Sequence, residues 1–290
     1  MLNVLVTGGS GFLGSHVCDE LIKKRFRVIN FDLLKRNDQN EKIKYINGDL
    51  TKISDINKIK NSIDYIFHFA GFANLNLALK RPLDTFSKNI EATINLLNFA
   101  KKKKIKKFIF ASSIYVNSKE GGFYKSSKVA SESYVKEFQN IYGINYTILR
   151  FGSLYGSRPN PENGVYNLIK NALKNKKITY IGNPEATREY IHVKDAARCC
   201  MEILDKKYSN KIINITGHTP IKVSEFLKTI AEIMSINKKK VIFKNRKYPG
   251  HYVRTPYSID DEISHKLTLS THIDLGEGIK DLIKQIKYEL

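Results

Sequence analysis

Apolar residues in this chain follow two patterns that alternate along its first half. Short continuous runs occur at Val4-Leu5-Val6, Val28-Ile29-Asn30-Phe31-Asp32, Ile43-Lys44-Tyr45-Ile46, Tyr65-Ile66-Phe67-His68-Phe69, Phe108-Ile109-Phe110-Ala111 and Tyr146-Thr147-Ile148-Leu149. Between them, apolar positions recur at helical spacing: Phe12, Leu13, Val17, Leu21 and Ile22 after the first run, then Ile90, Ile94, Leu97 and Phe99 within a helix predicted over 83–103. A further helix is predicted over 124–142, and a helix start near Thr51. Continuous runs are strands buried on both faces, and the spaced positions are helix faces. Their alternation predicts an α/β fold built on a parallel, doubly wound sheet.

The first strand runs into Thr7-Gly8-Gly9-Ser10-Gly11-Phe12-Leu13-Gly14. Gly8 permits a tight turn, Gly11 a close approach of backbone to a pyrophosphate, and Gly14 close packing of helix on strand. The spacing is Gly-x-x-Gly-x-x-Gly, so a purely structural turn is the competing reading. Asp32 ends the next strand at the distance where a carboxylate meets a ribose diol and repels a 2′-phosphate, which favours NAD over NADP. Lys35 and Arg36 lie close by and soften that preference. Asp49, after the third strand, is placed either to meet an adenine amino group or to cap the following helix. Phe69, Ala70 and Gly71 end the fourth strand with small residues where a cofactor would cross the sheet edge. His68, inside that run, reads as a core residue.

After Arg150 the texture changes. Residues 156–164 carry Gly, Pro and Asn without apolar periodicity and are a loop. Shorter elements follow: helices near 164–174, 193–205 and 223–235, strands at 178–180, 212–215 and 241–243, and an amphipathic helix from Gly276 to Tyr288. This divides the chain into a dinucleotide-binding domain, 1–155, and a smaller α/β lobe, 156–290, that closes over a substrate. The strand near 212–215 is available to return to the main sheet.

Composition narrows the partners. The net charge is +21 over 290 residues, but Lys is scattered and outnumbers Arg, as in a Lys-, Ile- and Asn-rich composition, so no nucleic-acid face is expected. The densest run, Lys101 to Lys107, falls where a helix ends and complements its dipole. Such a surface still attracts a phosphate-bearing substrate. Cys18, Cys199 and Cys200 suit reduced thiols in the cytoplasm, with no metal-ligand spacing. The first strand begins at residue 2, leaving no room for a signal peptide, and no apolar run reaches the roughly 20 residues of a membrane span.

The candidate chemistry lies at Tyr124-Lys125-Ser126-Ser127-Lys128, with Ser112-Ser113 at the end of the strand before it. A phenol and an ammonium at i and i+4 share a helix face. At about 4 Å and an effective dielectric near 20, the ammonium stabilises a phenolate by roughly 4 kcal/mol. That is about three pKa units, enough to bring a tyrosine from about 10 towards 7, where it serves as a general base.

Taken with the glycine turn, this order of motifs resembles the extended short-chain dehydrogenase/reductase family, the sugar-nucleotide epimerases and dehydratases. Gly48-Asp49-Leu50, Pro82 with Asn89-Ile90-Glu91-Ala92-Thr93, Leu149-Arg150-Phe151-Gly152-Ser153-Leu154-Tyr155-Gly156 and Arg188-Glu189-Tyr190-Ile191-His192-Val193-Lys194-Asp195 resemble further segments of the family. The resemblance implies a Rossmann fold and bound NAD, held by Gly8, Gly11, Phe12, Leu13, Asp32, Asp49, Leu50, Phe69, Ala70, Gly71, Asn89, Ala111, Tyr124, Lys128 and Phe151. It implies Tyr124 as acid/base, Lys128 as its partner and a hand on the nicotinamide ribose, and Ser113 (Ser112 as fallback) on the reacting hydroxyl. Ser113, Ser153, Arg188 and Tyr248 would contact the substrate, Arg188 as a clamp on its diphosphate.

Departures refine the expectation. Ile114-Tyr115 stand where the family's dehydratases carry an Asp-Glu pair, which argues against dehydration. Val116-Asn117-Ser118 replaces a Val-Tyr-Gly ending. Only ten residues separate Ser113 from Tyr124, so a more open site is expected. Tyr248-Pro249-Gly250-His251 lacks an arginine, with Lys247 and Arg254 the nearby cations. The implied reaction is 4-epimerisation of a nucleotide-linked sugar through a 4-keto intermediate. A keto-sugar-nucleotide reductase is the alternative, and a non-catalytic cofactor-binding protein the reading from another class. The resemblance also implies a homodimer through the 83–103 and 124–142 helices, although Glu91, Asn95, Asn98 and Lys136 make those faces polar.

Overall fold

A computed structural model describes residues 1–244, 251–256 and 264–290. The first six predicted runs are strands: β1 (Asn3–Thr7), β2 (Arg27–Asp32), β3 (Lys44–Asn47), β4 (Tyr65–His68), β5 (Lys107–Ser113) and β6 (Tyr146–Phe151). Among the described residues they form an eight-stranded parallel sheet with strands Lys211–Ile215 and His265–Lys266. The spatial order is β3, β2, β1, β4, β5, β6, then Lys211–Ile215 and His265–Lys266. The expected return of the 212–215 strand to the main sheet is therefore observed. The two-residue edge strand His265–Lys266 carries no apolar run and was not expected.

Period-two alternation sends neighbouring residues to opposite faces. Val4 and Val6 pack with the Phe12–Lys23 and Val193–Glu202 helices, whose buried residues include Val17, Leu21, Ala196 and Cys200. Leu5, Phe108 and Phe110 pack on the other face with Leu96 and Leu97 of the Ala92–Lys103 helix and Val135 of the Gly122–Tyr142 helix. A third core, around Ile169, Phe226, Ile230 and Leu282, joins the Gly164–Asn175, Val223–Ile233 and Leu275–Glu289 helices.

Two predicted boundaries move for local reasons. The expected continuous helix over 83–103 is an α-turn at Pro82–Thr85, a π-turn at Phe86–Glu91 and an α-helix from Ala92. Within the π-turn Asn89 is buried and its carbonyl accepts from the hydroxyls of Thr93 and Ser131. The fourth strand stops at His68, because the N–H groups of Phe69 and Ala70 both turn back to the Thr7 carbonyl. The Lys101 to Lys107 run does close a helix: it ends at Lys103, with Lys104 left-handed at φ 52°.

His68 is a core residue, as expected, its ring bonded to the hydroxyls of Thr7 at 2.7 Å and Thr93 at 3.0 Å. Burial lowers its pKa to about 3, and burial also lowers His16, His192 and His251 to about 4. Below the unfolded histidine pKa near 6.5 the unfolded chain binds protons that the folded chain refuses. Stability is therefore expected to fall continuously from about pH 6.5 towards about pH 4, by up to roughly 1.4 kcal/mol per pH unit for each histidine. Melting temperature against pH measures this, and a flat profile across that window would contradict it.

Candidate active site

The sheet order reverses between β1 and β4: the chain runs outward from β1 through β2 to β3, then crosses back to place β4 on the other side of β1. Ligands of doubly wound sheets bind in that crevice, at the carboxyl ends of the strands. The backbone is tight there. Gly8 sits at φ 71°, and a Cβ on it would lie 2.6 Å from the Ala70 nitrogen. A Cβ on Gly14 would lie 2.1 Å from the Gly8 carbonyl oxygen, so the helix can approach the turn only with glycine. Gly11 is the helix N-cap and supplies no side-chain cap, leaving the first turn's N–H groups and the dipole for an anion.

Asp32 stands at the end of β2, its carboxylate accepting from the Ser10 N–H at 2.9 Å and the Leu34 N–H at 3.3 Å. Phe12 and Gly71 line the cavity described below. The carboxylate of Asp49 accepts from the N–H and hydroxyl of Thr51, both at 2.9 Å, and does not cap the Ile53–Ile56 helix, whose N-cap is Lys52. Leu13 and Leu50 are buried in the core. Phe69 stacks on Phe67 and tilts against Phe151. The Asn89 amide brackets Phe72, accepting from its N–H at 2.6 Å and donating to its carbonyl at 3.2 Å and to the Ser127 hydroxyl at 2.9 Å. Asn89 thus fixes the loop after Gly71, where a Cβ would fall 2.9 Å from its own Oδ1 and 3.7 Å from Lys128 Nζ. The glycine turn, uncapped helix, Asp32 and the space at Gly71 together fit a dinucleotide.

The two serines have different partners. Ser112 donates to Glu132 and faces away from the chemistry. Ser113 hydrogen-bonds the Tyr124 phenol. Ser113, Tyr124 and Lys128 are all buried.

One expectation is overturned. Tyr124's pKa is pushed above its ordinary value by burial, and the opposing contribution is the Ser113 hydroxyl. The Lys128 ammonium is turned to the Ala111 carbonyl at 2.8 Å and lies 4.9 Å from the Phe110 ring centroid. Lys128 is itself lowered to about 8 by burial, against the attraction of Glu132. Desolvation of phenol and ammonium together outweighs the helix-face pairing read from the sequence.

A cavity of about 1340 Å³ runs from Phe12, Gly71 and Phe72 past Ser153 and Tyr190 to Arg188 and Tyr252. Arg188 makes no ion pair among the described residues. It donates to the Thr187 carbonyl at 2.8 Å, and its guanidinium lies 4.1 Å from the Tyr252 ring centroid. Ser153 hydrogen-bonds the Tyr252 phenol. Tyr248, with Lys247, lies outside the described residues.

Sequence reasoning missed the aromatic path between this cavity and the buried pair. Tyr115 packs edge-on to Tyr124 at 6.3 Å and against Tyr252 at 4.8 Å, and its hydroxyl meets His251 Nδ1 at 3.2 Å. The short connection was expected to leave the site open. Tyr124 is instead 8% exposed, because Tyr115 fills the space beside it. A large aromatic in the place of a dehydratase acid was the signal available. Among the described residues no cluster of His, Cys, Asp and Glu could hold a metal ion, and no helix is long and apolar enough to cross a membrane.

Comparison with known proteins agrees with this geometry. Residues 4–216 match the NAD dependent epimerase/dehydratase family. The chain belongs to that family and is an NAD-dependent enzyme, so the resemblance read from its motifs holds. It is 31% identical to a Methanocaldococcus jannaschii protein provisionally named a UDP-glucose 4-epimerase, across 98% of each chain. It superposes on a Thermotoga maritima UDP-glucose 4-epimerase determined with UDP-glucose at a TM-score of 0.86 and 26% identity, covering 99% of each. A UDP-N-acetylglucosamine 4-epimerase from Methanobrevibacter ruminantium, in complex with UDP-N-acetylmuramic acid, gives 0.83 and 26%, covering 100% of this chain and 99% of that one.

Proposed function

We propose that this enzyme interconverts the C4 epimers of a nucleotide-linked hexose. The observation that carries the reading is the Ser113–Tyr124 hydrogen bond, set beside Lys128 at the carboxyl edge of the sheet and joined through Tyr115 to a cavity ending at Arg188, which makes no ion pair among the described residues. Bound NAD supplies a hydride acceptor that later acts as donor. Tyr124 takes the proton of the C4 hydroxyl as that carbon is oxidised and returns it when the keto sugar is reduced on its other face. Ser113 orients the hydroxyl. Lys128 holds the nicotinamide ribose, and its positive charge favours the phenolate. Arg188 grips the diphosphate, and the sugar turns about that fixed point. Ile114 and Tyr115 supply no acid/base pair for eliminating water, which sets dehydration aside. Gly8, Gly11, Phe12 and Asp32 hold the dinucleotide.

Three buried, unpaired cysteines support a cytoplasmic protein. Phe86, Phe123, Val129 and Ile141 are exposed on the helices expected to pair, which supports a homodimer. The test is to identify by mass spectrometry any cofactor released from purified protein, then to follow UDP-hexoses by NMR with no cofactor added. Epimer formation at catalytic enzyme concentration supports the reading. Turnover only with stoichiometric NADH would replace it by a keto-sugar reductase, and no turnover of any nucleotide sugar would sink both.

A further inference from the structure

The face of the Gly122–Tyr142 helix that carries Tyr124 and Lys128 has a third charged or polar member. Glu132 follows Lys128 at i+4 and Tyr124 at i+8, so all three lie along one side of the helix. Glu132 is 4% exposed. A carboxylate that deep is costly unless its oxygens are met. Arg150, on β6 and equally buried, meets them with a two-pronged bridge, Nε to Oε1 at 3.0 Å and Nη2 to Oε2 at 2.7 Å. Ser112 on β5 donates to Oε1 as well. Arg150 reaches on through Nη1 to Asn117 Oδ1 at 3.3 Å, at the end of the Ile114–Asn117 turn that follows Ser113 and carries Tyr115.

This network joins the three backbone segments of the site: the helix with Tyr124 and Lys128, the strand with Ser113, and the turn with Tyr115. We infer that Glu132 is a positioning residue for proton transfer: bridged by Arg150 and Ser112, its carboxylate locks Ser113 opposite Tyr124 and keeps Lys128 charged in a site that excludes water. The inference rests on the reading of Tyr124 and Lys128 as the proton-handling pair.

The groups around the Lys128 ammonium make Glu132 the charge that matters. On its own helix are the neutral phenol of Tyr124 and the Glu132 carboxylate. From β5 come the Ala111 carbonyl and the Phe110 ring, and from β4 comes His68, held neutral by burial. Arg150, from β6, lies beyond Glu132 and opposes it. Burial favours the neutral amine, and among the described residues Glu132 is the anion acting against it.

The test compares Glu132→Gln with Glu132→Gln/Arg150→Met, which removes both buried charges and so avoids leaving the guanidinium unpaired. Lys128 is titrated by NMR of its Nζ group, identified by its loss in Lys128→Met, and kcat/KM is profiled against pH. The Lys128 midpoint is expected to fall in both variants, by about one pH unit or more (a tenfold change in acidity) in the single variant and less in the double. The alkaline limb of kcat/KM should move the same way, and Glu132→Asp should restore part of both. An unchanged Lys128 midpoint in whichever variant folds would overturn the inference. A lowered midpoint with an unmoved alkaline limb would support it and instead contradict the role given to Lys128 in the proposed reaction.

Discussion

Replacing Tyr124 by phenylalanine is expected to lower kcat by about a hundred- to ten-thousand-fold, the usual contribution of a positioned general acid/base. Shape and burial are kept, since the ring stays against Tyr115 and only the hydroxyl that meets Ser113 is lost. Cofactor retention and melting temperature should hardly change, because the removed atom contributes one hydrogen bond, about 1 kcal/mol net. KM should also change little, since the substrate clamp proposed at Arg188, elsewhere along the cavity, is left in place. Steady-state kinetics together with cofactor quantification separate these effects. A variant retaining more than a tenth of wild-type kcat would remove Tyr124 from the chemistry.

Gly14→Ala should have an effect of similar size on a different quantity. The added methyl would stand 2.1 Å from the Gly8 oxygen and 2.9 Å from the Gly8 carbonyl carbon, and backbone cannot yield as a side-chain tip can. The helix must move off the turn, costing roughly 1–3 kcal/mol as overpacking does. The same movement displaces the N–H groups proposed to face the pyrophosphate. Purified Gly14→Ala is expected to retain little or no dinucleotide and to melt lower. Gly164→Ala is the control, since nothing lies within 4 Å of a Cβ there. Full NAD occupancy in Gly14→Ala would show that the turn has another use.

How much of this could be read from the chain depended on whether a feature is local. The glycine turn, the helix that carries Tyr124 and Lys128 and the six leading strands are each written in consecutive or i,i+4 residues, and each appears close to where it is expected. Glu132 and Arg150 are eighteen positions apart and meet only because β6 lies beside β5. Asn89 is a cofactor residue by resemblance alone, and its place in a π-turn, with its amide bracketing Phe72, is set by contacts that the local sequence does not show. Tyr115 was recognised as a missing acid and not as a wall, since its neighbours Tyr252 and His251 come from more than a hundred residues away. The error on the phenol's acidity had a related origin. A pair on a helix face was assigned its attraction without the burial that acts on both partners.

Strand Lys211–Ile215 lies against β6, with register from Lys211 opposite Thr147 to Ile215 opposite Phe151. A segment from late in the chain thus closes a row of backbone donors and acceptors that the early segment leaves unmatched. During synthesis, β6 emerges some sixty residues before its neighbour and waits as an unprotected, apolar sheet margin, a template for pairing with other chains. The chain therefore cannot complete its nucleotide-binding half first and add the rest at leisure.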